Sequence, residues 1–253
     1  MTIKIKLLFL ILLLIGMSAS DASASNHSWK ITIAPYLWAM NMNGRVQSGT
    51  TTMHVSQSFS DIMSQFQGGG MLLIDAQKDD FGLFVNAIYA VLSEDVLTAP
   101  MTVTSHTRFG IFSGGISYTV FNKTFAHSTN RLAIDPYLGA RYTLNNTTLK
   151  AASLSLSNNK HWTDPIIGAR LRYLFQERWS VIAAGDVGGT NTNNHCSYNV
   201  QGFLGYHPKL IKNTTVYAGY RVLYQKYLTG SGANRFNWNM KLFGPVLGAA
   251  IEW

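Results

Sequence analysis

The chain of 253 residues carries 20 lysines and arginines against 12 aspartates and glutamates, a formal net charge of +8. Its single cysteine, Cys196, excludes an internal disulfide framework. The basic residues are scattered rather than clustered with stacking aromatic residues, which argues against nucleic acid as a partner. No histidine, cysteine and aspartate spacing indicates a metal site, and no glycine-rich phosphate loop is present, so we expect no cofactor.

The first 24 residues have the three parts of a secretory signal peptide. Lys4 and Lys6 precede an apolar run over 7–15, and the small residues Ala22, Ser23 and Ala24 follow it. The apolar run is shorter than the roughly 20 residues that a membrane-spanning helix needs. The sequence therefore predicts an exported protein with a signal peptide over 1–24, cleavage near Ala24 and one domain over 25–253.

Apolar residues then recur at every second position through most of the chain. Between Val216 and Tyr224, for example, the apolar residues alternate with a face that holds Gly219 and Arg221. Such alternation predicts β-strands with one apolar face. The segments approach the roughly 9–11 residues with which a tilted strand crosses a bilayer. The ten predicted strands cover 29–41, 69–79, 81–95, 105–121, 131–145, 161–175, 178–189, 196–207, 213–227 and 238–253.

The connections between these strands alternate in character. The segments expected on the periplasmic side are mostly short and cover 79–80, 122–130, 176–178 and 207–212. The segments expected outside are richer in Asn, Thr, Ser and Gly, and they cover 42–68, 96–104, 146–160, 190–195 and 228–237. Eight or twelve strands remain possible, because 42–58 has the composition of a further strand or hairpin. The segment 60–67 predicts a short helix with Ser60 as its N-cap, folded over or into the lumen.

Aromatic residues recur at the strand ends, in phase with the turns. A membrane interface selects such positions, because an amphipathic ring is stable at headgroup depth. This pattern favours an antiparallel transmembrane β-barrel in the outer membrane over a soluble exported barrel or sandwich. The last strand, which ends on Trp253, is expected to pair with the first. The predicted membrane-interface residues are Phe81, Phe121, Phe175, Trp179, Tyr206 and Trp253.

Charged residues fall on the opposite, inward face. The frame Asp-Pro-x-x-Gly-Ala-Arg occurs at 135–141 and again at 164–170, and its Asp, Gly and Arg share that face. In a narrow barrel, these charges favour a salt-bridged plug over a water-filled, charge-selective constriction. The predicted lumen residues are Asp75, Asp135, Arg141, Asp164, Arg170, Arg172, Asp186, Arg221 and Glu252.

The motifs PYLW, SFSDI, GDVGG, GYR and the closing GP-x-LG before an aromatic residue resemble those of a widespread, uncharacterised family of bacterial outer-membrane β-barrel proteins. The resemblance covers nearly the whole chain after the signal peptide. It implies a barrel in the outer membrane of a Gram-negative bacterium but transfers no activity and no functional residue. The run TNTNNHC after GDVGG departs from the Gly/Phe-rich run expected there, so the outer loop at this point is predicted to be specialised.

These observations predict a structural barrel or a narrow, porin-like passive channel, and not an enzyme. One alternative is a rim-active hydrolase of envelope lipid or peptide that uses His161 or His195, for which Asp164 is the acid nearest the outer rim. His54 and His106 are weaker candidates. Another alternative is a surface protein whose segments 146–160 and 190–195 bind a partner. The expected partners of the barrel itself are outer-membrane lipid, lipopolysaccharide and, through the C-terminal strand, the barrel-assembly machinery.

Overall fold

A computed structural model describes residues 28–98, 101–125, 129–151, 154–191 and 193–253. The predicted signal peptide and its cleavage site near Ala24 lie outside the described residues. The described chain is mostly β-strand, with one α-helix, α1 (Phe59–Gln65), and a short 3₁₀ turn at Gly232–Asn234. Within the described part, no helix is long and apolar enough to cross a membrane.

Thirteen strands form one sheet in the described residues. In chain order they are β1 (Lys30–Trp38), β2 (Asn41–Ser48), β3 (Thr51–Gln57), β4 (Phe66–Lys78), β5 (Phe81–Thr98), β6 (Met101–Tyr118), β7 (Phe121–Thr124), β8 (Arg131–Ala151), β9 (Leu154–Phe175), β10 (Trp179–Asn191), β11 (His195–Tyr206), β12 (Thr214–Thr229) and β13 (Phe236–Glu252).

The sheet closes on itself because β1 and β2 together act as the first wall strand. β1 pairs with the second half of β13, where Leu37 lies opposite Leu247. β2 pairs with the first half of β13, where Met42 lies opposite Leu242. β3 and β7 are short additions that pair with β2 and β8. The wall is therefore a closed antiparallel barrel of ten strands, which confirms the predicted fold class.

The seam between β1 and β13 is hydrogen-bonded down to the end of the barrel where Ile31 and Trp253 lie, which we call the periplasmic end after the sequence prediction. The Ile31 N–H donates to the Trp253 carbonyl at 3.1 Å, and the Trp253 N–H donates to the Ile31 carbonyl at 2.9 Å. An unpaired backbone group in hydrocarbon costs several kcal/mol, so a membrane-spanning sheet must close in this way. The expected pairing of the last strand with the first is present.

Tight turns join the wall strands at the same end of the barrel. Asp79 follows β4 with a φ of 53°, and Gln176 and Glu177 follow β9 with φ values of 51° and 61°. Such left-handed backbone matches the right-handed twist of a hairpin. These turns coincide with the connections predicted at 79–80 and 176–178.

The outward face carries an apolar belt between two rings of aromatic side chains. The residues in the middle of the belt are more than half exposed: Val85, Leu138, Ile167, Val187, Val200 and Leu247. The periplasmic ring contains Trp29, Phe81, Tyr118, Phe121, Phe175, Trp179, Tyr206 and Trp253, and the outer ring contains Tyr89, Tyr142, Tyr198, Tyr224 and Phe243. All six predicted interface residues lie in the periplasmic ring.

Beyond the outer ring, the strands continue into segments that the sequence predicted as connections. β8 and β9 run to Ala151 and from Leu154, so most of 146–160 is a hairpin, and 96–104 is mostly strand as well. The predicted loop 42–68 contains β2, β3 and α1. The hairpin kept as an alternative at 42–58 and the short helix expected within 60–67 are therefore present. The strands at 96–104 and 146–160 were wrongly placed in connections, because their Thr, Asn and Ser content is also typical of loops.

Helix α1 begins earlier than predicted, and its N-cap is Ser58 rather than Ser60. The Ser58 hydroxyl accepts from the Asp61 N–H, and Asp61 in turn accepts from the Ser58 N–H at 2.8 Å. This reciprocal capping box lowers the pKa of the exposed Asp61, chiefly through the backbone hydrogen bond from Ser58. The helix contacts β2, β3 and β5 and buries Ile62.

Candidate functional site in the barrel interior

The interior contains a cluster of ion pairs near the periplasmic end, which we call the lower cluster: Asp75, Asp135, Arg170 and Arg172. Arg172 binds both carboxylate oxygens of Asp135, at 2.8 and 2.9 Å. Arg170 bridges Asp135 at 3.1 Å and Asp75 at 2.6 Å. Two-point binding of a carboxylate by a guanidinium is a strong and directional interaction. The cluster thus ties β4, β8 and β9 together across the lumen.

An upper cluster lies nearer the middle of the membrane belt and consists of Tyr137, Arg141, Asp186, Asn199 and Arg221. Arg141 pairs with Asp186 at 2.6 Å. Tyr137 and Asn199 also donate to the Asp186 carboxylate, at 3.1 and 2.9 Å. Arg221 donates through Nε to the Asn199 amide oxygen at 2.8 Å. The Asn199 amide therefore links Arg221 to Asp186, whose carboxylate already accepts hydrogen bonds from Arg141 and Tyr137.

The repeated Asp-Pro-x-x-Gly-Ala-Arg frame explains part of this arrangement. β8 and β9 are antiparallel, and their register sets Asp135 opposite Arg170 and Arg141 opposite Asp164. Each copy therefore places its acid opposite the arginine of the other copy. Asp135 and Arg170 make a direct ion pair, whereas Arg141 reaches across to Asp186 on β10.

All nine predicted lumen residues have inward positions, but their surroundings differ. Seven belong to or directly contact the two clusters, whereas Glu252 lies at the periplasmic mouth of the lumen. Asp164 lies opposite Arg141 in the register of β8 and β9, and its carboxylate contacts His195. The prediction counted charges only and so missed the neutral partners Tyr137 and Asn199. Their inward parity on β8 and β11 was the signal available in the sequence.

Above the upper cluster, apolar side chains fill the lumen. We call this set the outer plug; each member is at most 4% exposed. Leu223 follows Arg221 as the next inward residue of β12, and the ring of Trp38 lies 4.9 Å from the Arg221 guanidinium. On β12, the charged residue Arg221 and the plug residue Leu223 therefore occupy consecutive inward positions. The members are Trp38, Ile88, Phe109, Ile111, Trp162, Leu223, Phe236, Trp238, Met240 and Leu242.

Two connected cavities lie on the periplasmic side of the plug. The wider one, the vestibule, has a volume of about 750 Å³ and includes Lys30, Arg172 and Glu252 in its walls. The inner cavity has a volume of about 250 Å³ and reaches Arg141 and Arg221. The two share Asp75 and Tyr217, among other residues. The lumen is thus open toward the periplasm and filled toward the outside.

One of the four candidate histidines has an acidic partner in the structure. His195 Nε2 contacts Asp164 Oδ1, and its Nδ1 lies 3.2 Å from the Thr190 hydroxyl. His161 is exposed on the outward face of β9, and His54 and His106 are exposed in the outer strands β3 and β6. No group of three possible metal-ligating side chains occurs among the described residues.

The structure is similar to the outer-membrane protease OmpT from Escherichia coli, with a TM-score of 0.59, 8% identity, and coverage of 93% of this chain and 100% of that one. Ail of Yersinia pestis is less similar, with a TM-score of 0.38, 10% identity, and coverage of 90% of this chain and 99% of that one. Neisserial surface protein A has a TM-score of 0.31, 12% identity, and coverage of 92% of this chain and 100% of that one. The first similarity supports the barrel fold alone.

The sequence matches no family model and no curated protein. The resemblance based on PYLW, SFSDI and the other motifs therefore stays a prediction.

Proposed function

We propose that the chain is a closed barrel of the bacterial outer membrane that does not conduct ions. The membrane location is supported by the apolar belt between two aromatic rings, the pattern that a bilayer with two interfaces selects. In this position the belt contacts lipid, and lipopolysaccharide surrounds the belt at the level of the outer aromatic ring. The remaining partner prediction, the assembly machinery acting on the C-terminal strand, stays untested.

The outer plug carries the proposal that the lumen is closed. Leu223, Met240 and Leu242 have no exposed surface, and Trp38, Ile88 and Ile111 have 1% or less. A steady ionic current needs a continuous water path, and apolar constrictions exclude water. The inward arginines lie below this barrier, where they stabilise the wall. This argument favours the structural role over the narrow channel among the sequence-based expectations.

Single-channel recording of the refolded protein in a planar lipid bilayer tests the proposal. Folding is verified first by resistance to unfolding in cold detergent. We expect no steady conductance from the verified barrel. A steady, charge-selective conductance that changes in Arg170→Ala would contradict the proposal and support the passive channel instead.

The contact between His195 and Asp164 favours a rim-active hydrolase as the second candidate function. A general base needs a group that orients it and a nucleophile within hydrogen-bond reach. Asp164 and Thr190 occupy these two positions around the His195 ring. In this scheme, the Thr190 oxygen attacks an ester carbonyl, His195 takes the hydroxyl proton, and the proton then passes to the departing alcohol. Water completes the cycle by hydrolysing the acyl-threonine.

Hydrolysis of a chromogenic short-chain ester by the folded barrel tests this second candidate. We expect His195→Asn to abolish the activity and His161→Asn to retain it, since His161 faces outward without a carboxylate partner of this kind. Equal rates in wild type and His195→Asn would exclude His195 as the base. Partner binding by the outer hairpins remains a prediction.

A further inference from the structure

The inner cavity combines apolar walls with one buried arginine that has no carboxylate partner among the described residues. Leu73, Phe84, Phe203 and Val246 contribute apolar surface, and Arg221 lies at the end next to the plug. The vestibule adjoins this cavity on the side of the periplasmic end and shares Asp75, Arg172 and Glu252 with it. A concave, mostly apolar site with a few convergent polar groups is the usual form of a small-molecule binding site.

Arg221 differs from the other inward arginines in its partners. Arg141, Arg170 and Arg172 each pair with an aspartate at 2.6–3.1 Å. Among the described residues, no carboxylate forms an ion pair with Arg221, although its residue is only 4% exposed. Its partners are the amide oxygens of Asn199, at 2.8 Å, and Asn86, at 3.5 Å, together with the Tyr36 side chain and the ring of Trp38.

The nearest carboxylate of the upper cluster has little capacity left for Arg221. Asp186 already accepts hydrogen bonds from Arg141, Tyr137 and Asn199. A buried guanidinium without a paired carboxylate is costly, because neutral amides replace only part of its hydration. Such a group at the end of a cavity is suited to an anion that enters from outside.

We propose that the inner cavity binds a small amphiphilic monocarboxylate that enters from the periplasm. Its carboxylate binds the Arg221 guanidinium, and its hydrocarbon part contacts Phe84, Phe203 and Val246. The acidic side chains of Asp75, Asp186 and Glu252 also line the cavity. The same walls also hold Arg141, Arg170 and Arg172, which pair with aspartates. Arg221 is therefore the arginine left for a ligand, so the site selects a monoanion over a phosphate ester.

Calorimetric titration of the barrel in lipid nanodiscs, with empty nanodiscs as the baseline, tests this proposal. The probes are octanoate, acetate, which lacks the hydrocarbon chain, and octanol, which lacks the charge. We expect saturable binding of octanoate and much weaker binding of the other two. Because hydrogen bonds to a charged group are strong, Arg221→Gln should weaken octanoate binding by about tenfold or more.

The matched control is Arg45→Gln, which makes the same change at an exposed arginine of β2 outside both cavities. It should bind octanoate as wild type does. A second variant, Val246→Trp, fills the cavity and keeps Arg221; it should also lose binding, and it serves if Arg221→Gln fails to fold. Undiminished binding in a folded Arg221→Gln or Val246→Trp barrel, or octanol binding as tight as octanoate, would overturn the proposal.

Discussion

The two halves of the barrel differ in which face of the wall carries the apolar side chains: the outward face in one half and the inward face in the other. At membrane level, β13 turns Leu247 outward, and the lumen beside it holds charged groups. Above the outer aromatic ring, the same strand turns Lys241 outward and buries Trp238 and Met240 in the lumen. The side-chain alternation continues without a break, but the apolar face changes sides. On β9, likewise, Trp162 is buried between the exposed His161 and Thr163.

The difference fits the proposed membrane position, in which lipid covers one half of the wall, water covers the other, and this medium decides what fills the lumen. Where lipid covers the outside, the wall is stabilised there, and the lumen can hold polar groups if they satisfy one another. Where water covers the outside, the hydrophobic effect requires an apolar interior, as in a soluble β-barrel. The outer plug is therefore the core of a water-exposed barrel segment that stands on a membrane-embedded one.

The largest effect should come from Asp135, which joins both arginines of the lower cluster. Asp135→Ala leaves Arg170 without one of its two carboxylates and Arg172 without its only ion pair among the described residues. Breaking a buried pair from one side costs about 3–5 kcal/mol, and the partial exposure of both arginines places the expected loss at the lower end. Denaturant unfolding in lipid vesicles measures it. If Asp135→Ala lost less free energy of unfolding than an exposed-site control such as Asp95→Ala, the ion pairs would fill the lumen without stabilising the fold.

A cavity in the plug should reduce stability by a comparable or smaller amount. Leu223→Ala removes a fully buried side chain, for which about 2–5 kcal/mol is the usual range. Val222→Ala, on the lipid-facing side of the same strand, is the matched control, and its cost should be smaller. Equal losses in the two variants would contradict the distinction between a packed interior and a lipid-covered exterior.

The smallest effect should appear in α1 at low pH. The pKa of Asp61 is lowered in the folded protein, so the capping box contributes stability at neutral pH and loses it as the pH falls below the ordinary aspartate range. Hydrogen exchange of the α1 amides should accelerate only in strong acid. Asp61→Asn should remove this pH dependence, and Asp79→Asn should retain it. Acceleration between pH 5 and pH 7 would point to another group.

The sequence alone predicts the membrane half of the barrel well, for a physical reason. A wall with lipid outside and polar groups inside has alternating apolar and polar side chains. On β12, the apolar Val216 indicates the outward face and the charged Arg221 indicates the inward face. Parity then gives the inward position of all nine predicted lumen residues. Their pairings were not predictable, because Asp186 and Arg141 meet across the lumen from strands that are not neighbours.

The outer half was less predictable because its pattern has the opposite polarity. In β2, for example, Met42 and Val46 pack inward and alternate with the exposed Asn43 and Arg45. The search for outward apolar residues placed this segment in a connection and left a strand only as an alternative. Ser58 was missed as the N-cap because Ser60 offers the same hydroxyl two residues later. The reciprocal bond from Asp61 distinguishes the two serines. The contact between His195 and Asp164 was predicted only as proximity at the rim.

The repeated Asp-Pro-x-x-Gly-Ala-Arg frame also limits errors during assembly of the barrel. The outer parts of β8 and β9 consist largely of Thr, Asn and Ser, which tolerate many alignments of the two strands. A slip of two residues in either direction would move Arg141 from Asp164 to a position opposite Trp162 or Ile166. A misaligned hairpin would therefore bury a charge against an apolar side chain. The frame thus supplies the alignment information that the polar hairpin lacks.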